Sequence, residues 1–133
     1  MTLEDAIFYR LTHDANITAL VGSTTPRVYP VIMPDNPVFP AISFQIIYME
    51  RINSMTGHLG TTRAQVQVDC RAKTAAVART LAKKVHNALN AFSGTINTLE
   101  TSCLSINEQD FYEDEVDVFR RMQEYEFIFI EQE

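Results

Sequence analysis

The chain has no long apolar run, and that sets the first limit. Nothing in its 133 residues is long and apolar enough to span a bilayer. The N-terminus, MTLEDAIFYR, is acidic and polar within its first residues, unlike a secretory signal. The expectation is a protein with no membrane contact, made and kept in a cytoplasm or assembled there into something larger. Cysteine is scarce as well, with only Cys70 and Cys103. Without a C-x-x-C or a Cys/His cluster, composition argues against a structural zinc site. Both thiols sit in strand-like segments and read as buried and free. Basic charge is also short: Lys+Arg 11 against Asp+Glu 17 gives a formal net charge of −6. A domain that grips duplex DNA by its phosphates shows a basic excess. Tight nucleic-acid binding is therefore not expected, whereas a surface that DNA slides past fits the charge.

Catalytic signatures are missing too. His13, His58 and His86 fall at a helix end, a hairpin tip and a helix's polar face, and no G-x-S-x-G, H-E-x-x-H or Gly-rich phosphate loop accompanies them. Catalytic sets do assemble from distant residues, so scatter alone excludes nothing. Still, no nucleophile, cofactor-binding residue or metal ligand can be named, and no enzyme activity or cofactor is expected. The acidic stretch Glu108, Asp110, Glu113, Asp114, Glu115 and Asp117 lacks the glycine that a calcium loop needs for its sharp turn. It reads as a solvated loop, with Arg120 and Arg121 following at once as local partners or as complements to another copy.

What remains is an ordinary globular composition, 46% hydrophobic and 21% charged, in a length suited to one domain over 1–133. Thr2 with Asp5 forms a variant capping box. Leu3, Ile7 and Leu11 repeat at helical spacing, His13-Asp14 interrupts them, and Gly22 closes a second turn. Residues 2–21 are thus a broken helix or a helix plus one turn. All five prolines lie within 26–40, which forbids helix or a central strand there and leaves 27–32 as a short edge strand.

Two alternating segments follow, 41–52 and 61–71, around the Gly-containing 53–60. They form a β-hairpin whose arms of about eleven residues reach roughly 35 Å. In the first arm Ile42, Phe44, Ile46 and Tyr48 share a face; in the second, Ala64, Val66, Val68 and Cys70 do. Residues 74–92 make the clearest helix, capped by Thr74, striped by Val77, Leu81, Val85, Ala88, Leu89 and Phe92, and stopped by Gly94. Strands at 99–107 and 118–132 flank the acidic loop 109–117; in the last, Tyr125, Phe127 and Phe129 share one face while Ile128 and Ile130 take the other, a strand covered on both sides. The expected fold class is α+β: a single antiparallel sheet with a long β-hairpin and two helices packed on one face.

Two surfaces stand out. The wet face of the second arm carries Arg63, Gln65, Gln67, Asp69 and Arg71, suited to specific contacts between subunits. The hairpin tip places Met49, Ile52, Met55 and Leu59 in or beside a polar turn; it either projects as a contact surface or folds back and shields itself. The candidate interface residues are Met49, Arg51, Met55, His58, Leu59, Arg63, Gln65, Gln67 and Arg71.

The order of blocks along nearly the whole chain carries one more reading. DANITALVG (14–22), RVYPVIMP (27–34), FPAISFQ (39–45), RAQVQVDCRAKTAAVARTLAKKVHNAL (63–89) and DFYEDEVDVFRRMQEYEFIF (110–129) together resemble small phage tail-completion proteins, the tail terminators or tail-to-head joining proteins. The stretch 111–117 departs from that pattern, being more acidic and without the glycine that often ends the loop.

The resemblance implies a structural role without catalytic residues. Copies of the chain, commonly six, form a ring on the head-proximal end of a virion's tail tube. The ring stops tube growth, docks the head-connector or neck protein, and lets DNA pass its lumen without specific binding. Synthesis in the host bacterial cytoplasm goes with that role. Two further readings compete: a neck or head-closure component of the same virion, and a ferredoxin-like small-ligand or regulatory binding domain.

Overall fold

Thr2 starts the first helix with the expected capping box: its Oγ1 accepts from the Asp5 amide at 3.2 Å, and Asp5 Oδ2 accepts from the Thr2 amide at 3.3 Å. The structure, a computed structural model, describes residues 2–35, 37–54, 57–115 and 117–130, and their side chains except at 53, 54 and 57–59. Helix α1 (Leu3–Thr12) ends at His13, and Asp14 caps α2 (Ala15–Val21) by accepting from the Asn16 and Ile17 amides at 2.9 and 3.2 Å. Leu3, Ala6, Ile7 and Leu11 of α1 and Ile17 and Val21 of α2 are buried. Gly22, at φ 103°, turns the chain out of α2 in a conformation that side-chained residues resist.

Strand β1 (Val28–Pro30) then pairs with β2 (Ala41–Ser54) in parallel, so the sheet is mixed and not the purely antiparallel one expected. The proline-rich segment between them is the cause. It returns the chain to the start of β2 instead of reversing it in a hairpin, with Met33 Sδ 3.4 Å from Arg71 Nη1 on the way. Beyond β2 the sheet continues through β3 (Gly57–Ala72), β5 (Leu99–Glu113) and β6 (Val118–Ile130), with β4 (Phe92–Ile96) outermost, in the order β1-β2-β3-β6-β5-β4. Helix α3 (Ala75–Leu89) connects β3 to β4, capped by Thr74, whose Oγ1 accepts from the Val77 amide at 3.2 Å.

Among the described residues three helices, not two, cover the sheet, and all lie on one face. Leu81, Ala82, Val85 and Leu89 of α3 seal β3 and β6, while α1 lies against both β1 and β4 at diagonally opposite corners. Between the layers sit Phe44, Val66, Val68, Tyr125 and Phe127, each almost wholly removed from water. The succession of elements is not the β-α-β-β-α-β of a ferredoxin-like domain.

Further elements differ from expectation. The helix stops at Leu89 rather than Phe92: Asn90 leaves helical geometry, Ala91 takes φ 60°, and Phe92–Ile96 becomes β4, antiparallel to Leu99–Cys103. Gly94 therefore lies within a strand and stops nothing. The acidic loop 109–117 is mostly strand, since β5 runs to Glu113 and β6 resumes at Val118. Its carboxylates find cations across the ladder: Arg121 meets Glu108 at 2.8 Å and Asp110 at 2.9 Å. A β-bulge at Ile47 sends Tyr48 to the opposite face from Ile42, Phe44 and Ile46, where it is 53% exposed. Ile128 and Ile130 also stay exposed, since no element covers their side of β6.

Candidate interaction surface

The face turned away from the helices is built from alternate residues of β2, β3, β6 and β5, and many of its charged and polar groups are paired within the chain. Arg63 Nε lies 2.9 Å from Glu126, and Gln65 Nε2 donates to Glu124 at 2.6 Å; both partners stand on β6. Gln67 Nε2 donates to Asp69 Oδ2 at 3.1 Å. Towards the far end, Arg71 and Arg120 share two carboxylates: Arg71 lies 3.1 Å from Glu113, and Arg120 lies 3.1 Å from Asp69 and 3.4 Å from Glu113. Arg71 Nη1 also donates to Ser43 Oγ at 2.6 Å, and the Arg120 guanidinium stacks over Phe111 at 4.4 Å. Asp69 is 6% exposed, so this cluster holds charges that must be paired.

The structure divides the sequence-selected residues. Arg63, Gln65, Gln67 and Arg71 lie together on the uncovered face. Met49 and Arg51, past the bulge, pair with Ala64 and Thr62 and stand instead on the helix side at the outer edge of β2. Met55 lies outside the described residues, and the side chains of His58 and Leu59 do too. Sequence reasoning missed the β5 edge: Leu104, Ile106, Phe111 and Tyr112 are exposed along it. The signal was present as the alternation of Gln109, Phe111 and Glu113 with Asp110 and Tyr112, masked by charge density.

Burial pushes the Cys70 thiol far up and holds Cys103 near 12, so both stay protonated, and both are free. Burial likewise raises Tyr125. At Glu108 burial pushes the carboxyl up, but hydrogen bonds from Gln123 and Arg121 outweigh this and hold it below the usual range. Among the described residues no group of three or more His, Cys, Asp or Glu could hold a metal. The cavities are open grooves, such as one of about 310 Å³ between the start of α3 and Phe111, Tyr112 and Phe119.

No curated protein matches the chain. Among solved structures it is similar to a chain of the virion of a native gene transfer agent particle, with 17% sequence identity, a TM-score of 0.73, and coverage of 96% of this chain and 94% of that one. At that identity the likeness establishes a shared fold. Residues 5–130 match the family of tail completion protein gp17, and the chain belongs to that family of phage tail structural proteins.

Proposed function

We propose that the chain completes a phage tail by forming a closed ring on the head-proximal end of the tail tube, ending its growth and presenting the surface to which the head-connector or neck protein docks. Family membership supports tail completion, and the fold shared with a gene transfer agent virion chain agrees with it. The observation that carries the ring is where bonding capacity is left over. One sheet face is sealed by helices and much of the other is ion-paired within the chain, but among the described residues long stretches of both sheet edges have no strand beside them. Weak edge contacts gain strength when repeated around a closed ring. Six copies is the number the family resemblance implies. The net charge of −6 suits a lumen through which DNA passes without sticking, because like charge repels phosphates.

Native mass measurement with negative-stain imaging, on the chain alone and with its tail-tube protein, tests this reading. A discrete oligomer with ring-shaped particles is expected in one or both samples. A strictly monomeric chain in both would overturn it.

A further inference from the structure

Both long edges of the sheet are half covered, at opposite ends. Strand β1 covers β2 only as far as Phe44, whose carbonyl accepts from the Val31 amide at 2.8 Å. Strand β4 covers β5 only from Leu99 to Cys103. Among the described residues, no strand therefore lies beside Gln45 onward in β2 or Leu104 onward in β5 on their outer sides. Neither stretch contains the lysine or proline with which proteins usually blunt an open edge. Instead they expose Ile47, Tyr48, Met49, Leu104, Ile106, Phe111 and Tyr112.

We propose that the β5 edge of one copy pairs with the β2 edge of the next, in antiparallel sense, to make one sheet running through the assembly. This rests on the ring reading and specifies its joint. The directions agree: β2 is antiparallel to β3, β3 to β6 and β6 to β5, so β5 beside the next β2 continues the alternation. The ends fix the register. With β1 in place, an incoming strand can begin only at Gln45, and β5 ends at Glu113. Seating Glu113 opposite Gln45 puts Tyr112 opposite Ile46, Phe111 opposite Tyr48 across the bulge at Ile47, Asp110 opposite Met49, and Glu108 opposite Arg51. The β4 of one copy then lies beyond the end of the next copy's β2, and the two short strands flank the joint without collision.

Two independent properties agree with this register. The first is backbone direction. The Ile42 amide donates outward to Arg27 at 2.9 Å, so alternate residues point outward: Ile42, Phe44 and Ile46, then Met49 and Arg51 past the bulge. On β5 the Ser105 and Glu108 amides point outward, each occupied by an asparagine side chain (Asn90 and Asn107, both at 2.9 Å), and Asp110 and Tyr112 follow the same alternation. The proposed register sets outward residue against outward residue throughout, with Glu108 exchanging the Asn107 side chain for a backbone partner. The second is side-chain chemistry: an aromatic pair, Phe111 with Tyr48, an apolar pair, Tyr112 with Ile46, and an opposite-charge pair, Glu108 with Arg51.

A disulfide between copies tests the register. In one chain Tyr48 and Phe111 are separated by β3 and β6, three strand spacings or about 14 Å, far beyond disulfide reach. Both side chains are exposed, so Tyr48→Cys with Phe111→Cys leaves the core untouched. Oxidation during assembly should give a ladder of covalent multimers up to the full oligomer, absent from each single variant and much weaker for Glu50→Cys with Phe111→Cys, two residues out of register. Separately, Met49→Pro removes an outward amide that the β2–β3 ladder does not use, and should abolish assembly while leaving circular dichroism and melting of the monomer little changed. Rings that form without cross-linking, or cross-link equally out of register, would overturn the joint and leave the ring reading standing. No oligomer under any condition would remove both.

Discussion

On the helix side of β3, Ala64, Val66, Val68 and Cys70 are fully buried; on the other side Arg63, Gln65, Gln67 and Arg71 meet their partners at or near the surface. The same strand thus feeds two kinds of order. The covered side is held by loss of apolar surface, which is non-directional and large in sum. The uncovered side is held by charge and hydrogen-bond pairs in fixed register, individually small but specific. Stability should therefore respond steeply to changes on the first side and shallowly, with strong dependence on position, on the second.

The largest expected effect is in the covered layer. Phe127 is fully buried, and Phe127→Ala should cost about 3–5 kcal/mol by lost burial plus the cavity left behind. Urea unfolding measures it through a lower midpoint at unchanged slope. A loss below about 1 kcal/mol would mean the layer collapses around the gap, and that α3 is less firmly seated than its buried stripe implies.

A matched pair of arginines sharpens the contrast within the uncovered face. The Arg71 side chain is 20% exposed and serves Glu113, the nearly buried Asp69 and Ser43. The Arg63 side chain is 48% exposed and, among the described residues, meets Glu126. Arg71→Met should cost about 1–3 kcal/mol, because it strips partners from shielded polar groups. Arg63→Met should fall within about 0–1 kcal/mol, as exposed ion pairs do. Thermal or urea unfolding of both variants makes the comparison. Equal losses would show that Asp69 and Ser43 are rescued by Arg120 or water. If the uncovered face itself contacts neighbours, Arg63→Glu should impair assembly at nearly unchanged stability, whereas Arg71→Glu confounds the two.

The parts of the fold that follow from local period were legible. The alternation of residues 63–71, the stripe through Leu81, Val85 and Leu89, and the caps at Thr2, Asp14 and Thr74 all depend on neighbours a few residues away. What was not legible depends on distant pairing or on two signals that coincide. Phe92 falls three residues after Leu89 and extends the helical stripe, so β4 looked like the helix's last turn. The carboxylates at 108–113 looked like a loop: Arg120 and Arg121 were expected as their partners, but that they meet across a ladder, and that Arg71 joins them, follows only once β3, β6 and β5 stand side by side. The bulge at Ile47 has no sequence mark, yet it decides which face Tyr48 and Met49 occupy. The wet face was therefore readable as a face, but the partners that occupy it were not, and the open edges followed only from strand order.

The smallest expected effect isolates one charge at the border of the two regimes. Glu108 sits on the helix side of β5, where burial raises its carboxyl but hydrogen bonds from Gln123 and Arg121 win and hold it below its ordinary 4.5. A carboxyl lowered in the folded state adds stability above its unfolded value and loses it as pH falls through the folded one. Glu108→Gln should therefore be less stable than the parent at neutral pH, with the difference shrinking as acid takes the pH below the carboxyl's ordinary 4.5 and the parent protonates. Urea midpoints across that range measure it, and a difference that does not change with pH would assign the effect to packing rather than charge. In the proposed joint the neighbouring copy's Arg51 stands opposite Glu108. Assembled protein should then hold the carboxylate to still lower pH than the monomer, and acid should weaken assembly of the parent towards that of the glutamine variant, whose own assembly changes less with pH.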